Sequence, residues 1–218
     1  MATTLYDFEL SADCYALRLM LSILGVQYEA VAIDIYPGTD NQAEWFLKLN
    51  PAGTLPVLVD EDFTLTTASG GLIHLAARYD TTGWWNPFGE PAAYRQVLEW
   101  LEFARRLASS AGVARTGVAF GWDADLPVLQ AEAHQLLRKL DEHLWFGERQ
   151  GRGWLADGSH PTVGDIAVFP HVTLSEEGGV SRQDYPAIRR WLDRVRRIPG
   201  FVVMSGVFPA APAYAPFG

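Results

Sequence analysis

A proline heads what otherwise reads as a β-hairpin. In residues 54–71, TLPVLVDEDFTLTTASGG, Val57, Leu58 and Val59 lead through the acidic turn VDEDF to Phe63 and Leu65, two short strands by residue type. Pro56 has no N–H to give to a ladder, so it belongs at a sheet edge or at the first residue of a strand. The architecture must therefore contain a sheet with a third strand that begins at Pro56.

The flanking periodicity says what surrounds that sheet. Residues 3 to 8 read as a strand; then Leu17, Met20, Leu21 and Leu24 fall at helical spacing, with Gly25 placed to end the helix. Val31, Ile33 and Ile35 alternate as a second strand, Pro37-Gly38 makes a turn, and residues 42 to 49 form a short helix. After the hairpin a helix is predicted over roughly 69–79, so the order is βαβαββα in the first 80 residues.

Residues 81–90 are rich in turn formers and read as a linker. Beyond it the period is helical. Tyr94, Val97, Leu98 and Leu101 make one apolar stripe, Leu129 to Leu144 a second, and Ile188, Trp191, Leu192 and Val195 a third. In HPTVGDIAVFPHV, Thr162 followed by Asp165 forms a capping box ahead of an apolar helix that should be buried.

Charge and cysteine usage narrow the partners. Twenty-six acidic against 17 basic residues give a net charge of -9, which repels phosphate backbones and anionic lipid and points to a small ligand. The single cysteine, Cys14, allows no intramolecular disulfide and suits a reducing, cytoplasmic setting. No basic stretch precedes an apolar run at the N-terminus and no run of ~18 apolar residues occurs, so neither signal peptide nor spanning helix is expected. The five histidines lack metal-ligand spacing, GVARTGVAFG lacks the features of a phosphate loop, and the arginines of residues 189–197 read as a solvated helix face.

Three motifs, LNPAGTLPVL (49–58), LAARYD (75–80) and HPTVGDIAVFP (160–170), stand in an order and spacing that resembles the cytosolic glutathione transferases. The resemblance implies an α+β, thioredoxin-like domain over residues 1–80 and an all-helical domain over 91–218, usually paired as a homodimer, with glutathione as co-substrate and no metal. It also implies a cis Leu55–Pro56 bond that leaves the main chain of Leu55 free to pair with the cysteinyl unit of glutathione as a short β-augmentation. The chemistry implied is attack of the glutathione thiolate on a small hydrophobic electrophile: an epoxide, a conjugated ketone or an aryl halide. Isomerisation of the maleylacetoacetate type, or a non-catalytic binding scaffold, are the alternatives.

A thiol of pKa ~8.5 needs help to ionise at neutral pH, and a hydroxyl at a helix N-terminus supplies it. Ser11, in the loop LSADCY, occupies the position that the resemblance assigns to the thiolate's hydrogen-bond donor, and it is equally suited to cap the helix. Tyr6 and Cys14 are rival candidates.

The ligand end departs from the family pattern. Where Glu-Ser or Asp-Ser is usual at the start of the third helix, this chain has Thr67 and Ala68. Helix amides, with Thr66, Thr67 or Ser69, can still meet an anion; the ammonium is left to Asp60, Asp62 or an acid of a partner subunit. Gly70 and Gly71 imply close backbone approach or a loosened first turn. The resemblance places glutathione against Leu55, Pro56, Thr67, Ala68 and Ser69. The electrophile is expected on the first long helix of the second half, at Phe103, Leu107, Ser110 and Arg115, with Phe120 and Trp122 beyond.

Overall fold

The strands fall where residues alternate and the helices where apolar residues recur every three or four. The computed structural model describes residues 3–204; the stretch 205–218 of the expected helical domain lies outside the described residues. The first part runs β1 (Thr3–Asp7), α1 (Ala12–Ile23), β2 (Tyr28–Ala32), α2 (Glu44–Leu49), β3 (Val57–Asp60), β4 (Phe63–Leu65) and α3 (Ala68–Tyr79). The sheet order is β2-β1-β3-β4, with β1 parallel to β2 and the other pairs antiparallel. Leu5 lies opposite Leu58, and both turn to the face covered by α1 and α3. Tyr6 lies opposite Val57, and both turn to the face covered by Phe46 of α2.

The second strand is shorter than its residue pattern. Its ladder stops at Ala32, although the Ile33 N–H still donates to Asp7 O at 2.8 Å, and the chain then bends away. Ile35 leaves the sheet and becomes a cavity wall.

The second glycine of α3, Gly71, has a packing reason. A Cβ at Gly71 would stand 2.8 Å from Leu17 Cδ2, so the absence of a side chain lets α3 press directly onto α1. The first turn is capped, with Thr67 Oγ1 accepting from the Gly70 N–H.

After the linker come α4 (Pro91–Leu107), α5 (Val113–Phe120), α6 (Leu126–Arg149), α7 (Val163–Thr173) and α8 (Pro186–Val195). A π-helical turn, Ala108–Gly112, joins α4 to α5 without a break. On α4 the core takes Val97 and Leu101 but leaves Leu98 exposed, so the stripe is narrower than the sequence pattern. Helix α7 is buried from Val163 to Val172 and packs against α1, α3 and α4. Its capping box forms: Asp165 accepts from the Thr162 N–H at 2.9 Å, and Thr162 Oγ1 accepts from Gly164. The fully buried Asp165 carboxylate also accepts from the Leu155 N–H at 3.1 Å and the Trp191 Nε1–H at 2.9 Å. Burial pushes its carboxyl upward, against those donors.

Asp60, one of the acids considered for the ammonium, is committed to the fold. It is 1% exposed and receives Thr3 Oγ1 at 2.9 Å, Tyr79 OH at 2.8 Å and His74 Nε2 at 2.7 Å, with Arg78 beside it. Burial alone would raise its carboxyl, but these donors and the Arg78 charge hold it below the usual aspartate value. Asp62 sits in the turn after β3.

Two outcomes follow from this packing. Gly71→Val should overpack the α1–α3 contact and cost about 1–3 kcal/mol in urea or thermal unfolding. Because the Asp60 value is depressed, its contribution is present above the unfolded-chain pKa and is lost as pH falls through the lower folded value. Asp60→Asn should therefore destabilise more at about pH 6 than at about pH 3, measured by urea titration at both.

Candidate active site

The Leu55–Pro56 bond is cis, and Pro56 is buried behind Leu55. The preceding loop is tied down by Asn50, whose Nδ2 donates to Thr54 O at 2.7 Å and to Thr54 Oγ1 at 3.0 Å. Among the described residues, neither the N–H nor the C=O of Leu55 has a hydrogen-bond partner. It faces a cavity of about 470 Å³ whose floor is Thr67, Ala68 and Ser69 at the start of α3. The Ala68 and Ser69 N–H groups also find no acceptor among the described residues, so this end of the cavity offers free donors at a helix N-terminus. Arg105 of α4 stands at the rim, paired with Glu102. The carboxylate among the lining residues is Asp13.

A second cavity of about 210 Å³ adjoins the first, sharing Asp13 and Ala108 with it. Ser11 lies on its wall as the N-cap of α1. Its Oγ accepts from the Cys14 N–H at 3.2 Å, which leaves the hydroxyl proton free to donate. Phe8, Phe120 and Trp122 make the walls, backed by Tyr36, whose ring centroid is 4.6 Å from that of Phe120. Arg115 lines the cavity but is anchored, its Nη1 on Leu10 O at 2.6 Å and its Nε on Glu177 at 2.5 Å.

On the wall of the same cavity, His171 Nε2 meets Asp13 Oδ1 at 3.2 Å. Burial would raise the Asp13 carboxyl, but the hydrogen bond and charge of His171 outweigh it and the net shift is downward. Sequence reasoning missed this pair, because Asp13 and His171 lie 158 positions apart. The available signals were one acid in the first turn of α1 and one imidazole closing the apolar run IAVFPHV.

Several expected positions fall elsewhere. Tyr6 packs on the α2 face of the sheet, with ring centroids 6.3 Å from Trp45 and 6.4 Å from Phe46, away from both cavities. Cys14 is fully buried and accepts from the Phe8 N–H; burial pushes its thiol up to about 12, the opposite of a reactive cysteine. Phe103 packs on Trp100 beside a separate surface hollow, Leu107 is wholly in the core, and Ser110 is buried with its hydroxyl donating to Arg106 O. Of the expected positions Arg115 lines the smaller cavity, and the other residues of this stretch facing the cavities are Ala104, Arg105, Ala108, Gly112, Val113 and Thr116. An error of one residue in helical phase turns a face by about 100°, which accounts for Phe103 and Leu107. The π turn then keeps Gly112 and Thr116 in line with Ala108 at four-residue spacing.

Among the described residues no group of three or more His, Cys, Asp or Glu could hold a metal, and no helix is long and apolar enough to cross a membrane.

Open main chain before a cis-proline, free amides at a helix start and a capping serine at the next cavity together define a thioredoxin-like half under a helical cover. Residues 1–76 match the model of the glutathione S-transferase N-terminal domain and residues 113–194 that of the C-terminal domain. The chain is 31% identical to a glutathione S-transferase of Pseudomonas fluorescens whose crystal structure is known, covering 94% of this chain and 100% of that one, with a TM-score of 0.83. It is 24% identical to dichloromethane dehalogenase of Methylophilus leisingeri over 85% of this chain and 72% of the relative. It is 27% identical to maleylacetoacetate isomerase of Pseudomonas aeruginosa over 90% and 92%. The chain belongs to the glutathione S-transferase family, which binds glutathione.

The state of Cys14 is directly measurable. The folded protein should resist alkylation by iodoacetamide at neutral pH and label at the one cysteine once unfolded in guanidinium.

Proposed function

We propose that this protein is a glutathione transferase in which Ser11 donates a hydrogen bond to the glutathione thiolate for attack on a small hydrophobic electrophile. The observation that carries the reading is the junction of the two cavities: unpaired Leu55 main chain and free α3 amides line one, and Ser11 lines the other, with Asp13 and Ala108 common to both. The cysteinyl unit pairs with Leu55 N–H and C=O, while a glutathione carboxylate sits on the Ala68 and Ser69 amides with the Thr67 and Ser69 hydroxyls beside it. This directs the sulfur toward Ser11 and the smaller cavity.

The electrophile occupies that smaller cavity, against Phe8, Phe120 and Trp122, with Arg115 bracing the wall through Leu10 and Glu177. Ser11 can cap and catalyse at once, since the lone pair serves Cys14 N–H and the proton serves sulfur. The thiolate's electron pair forms a C–S bond as an epoxide C–O bond breaks, a conjugated ketone accepts charge, or an aryl halide loses halide. The domain division at residues 80 and 91, a homodimer and a cytoplasmic setting belong to the same reading. A second reading, glutathione-dependent isomerisation, has the maleylacetoacetate isomerase relative in its favour.

Titrating millimolar glutathione should raise the melting temperature, ligand at 100 times its Kd adding about 2.7 kcal/mol. Ser11→Ala should keep that rise while lowering conjugation of an aryl halide about a hundredfold. No rise and no turnover would leave the chain a binding scaffold.

A further inference from the structure

The rings around the smaller cavity come from both halves of the chain. Phe120, the last residue of α5, is the ring the others meet: Tyr36 stands 4.6 Å from it at an interplanar angle of 33°, Trp122 4.9 Å at 51° and Phe8 6.1 Å at 51°. Phe8, Phe120 and Trp122 line the cavity. Trp122 does so while 47% exposed, so it stands where the cavity meets solvent, and Tyr36, 43% exposed, stands 6.2 Å from it. Both lips are built to hold their rings. Asp34 Oδ1 accepts from the Tyr36 and Gly38 N–H groups at 3.0 Å each, and a Cβ at Gly38 would stand 2.5 Å from Asp34 Cγ, so the turn that carries Tyr36 closes tightly on itself. Across the cleft, Gly121 ends α5 in the left-handed conformation, φ 67°, and turns the chain so that Trp122 meets Phe120.

We propose that these four rings make the smaller cavity selective for a planar electrophile of one-ring size, and that Tyr36 is a specificity-determining residue that closes its outer end. The proposal rests on the transferase reading above and narrows its electrophile to an activated aryl halide. A cavity of about 150 Å³ holds a benzene. The volume here, about 210 Å³, adds room for small ring substituents, and a second fused ring would run outward into Tyr36 and Trp122. A flat π-system extends the tilted and offset contacts that the four rings already make with one another, whereas an aliphatic epoxide has no ring face to offer. In the reaction the thiol proton goes to solvent and the sulfur pair forms the C–S bond at the ring carbon. The C–halogen bond then breaks, and its pair leaves with the halide.

The test measures kcat/KM in the full-length chain for a nitro-activated chlorobenzene, its chloronaphthalene counterpart and a small aliphatic epoxide, each divided by its uncatalysed rate with glutathione. The unaltered chain should favour the chlorobenzene over both of the others. Tyr36→Ala should lower the chlorobenzene-to-chloronaphthalene ratio about tenfold, the scale of one aromatic contact, and Tyr36→Phe should restore it. The rise in melting temperature with glutathione should survive Tyr36→Ala, because the cavity beside Leu55 does not include Tyr36. Trp122→Ala should move the ratio in the same direction, and it decides the matter if the Tyr36 variant does not fold. An unchanged ratio in the variants, or an unaltered chain that favours the epoxide, would overturn the ring selectivity while leaving the transferase in place. If the unaltered chain turns over none of the three, the transferase reading fails first and the selectivity with it.

Discussion

Asp165 anchors the helix against which both halves of the molecule pack. It is a carboxyl group with no access to water, met by donors from three separate places: the Thr162 amide that starts α7, the Leu155 amide before it, and the Trp191 indole on α8. A buried carboxylate with so many donors is stable only when all of them arrive together. That condition fixes the start and the azimuth of α7. Helix α7 in turn packs on α1 and α3 on one side and on α4 on the other. Ala167 on the larger cavity and His171 on the smaller lie one helical turn apart on the same face. The spacing of the two cavities thus depends on a cap that lines neither of them.

The site is built from main chain as much as from side chains. Leu55 and the first amides of α3 are unpaired main-chain groups that no side-chain motif spells out, lying just before β3 and at a helix start, outside the hydrogen-bond ladder. Thr67 and Ala68 leave this end of the cavity open. The anion-binding end needs N–H groups and space, which backbone geometry provides whatever the side chains are. Among the described residues the one acid on the walls of these two cavities is Asp13, and it is already engaged with His171.

Much of this was legible along the chain. Pro56 marked the start of β3, the Thr162–Asp165 pair marked α7, and Ser11 marked the mouth of α1, because each is a local device whose physics spans four residues or fewer. The cavity walls on α4 were not legible in the same way. Apolar residues mark the buried side of a helix but do not distinguish packing against core from packing against a cleft, and Ala104 and Ala108 line the cleft because they are small. Phe103 and Leu107 have the apolar character expected of a pocket and spend it on Trp100 and the core. Cys14 and Tyr6 were rivals to Ser11 only while their burial and facing direction were unknown.

The amino-acid order by itself determined the βαβαββα order of the first part, most of the later helices though not α5 or the π turn before it, the capped start of α7 and the serine that heads α1, since periodicity and capping are short-range properties of the chain. Tertiary structure alone decided which face of α4 meets the cleft, that Asp60 is a structural hub, and that Asp13 and His171 touch. Those outcomes depend on how helices rotate and stack under competing demands for close packing, and no segment carries that information until the others are in place.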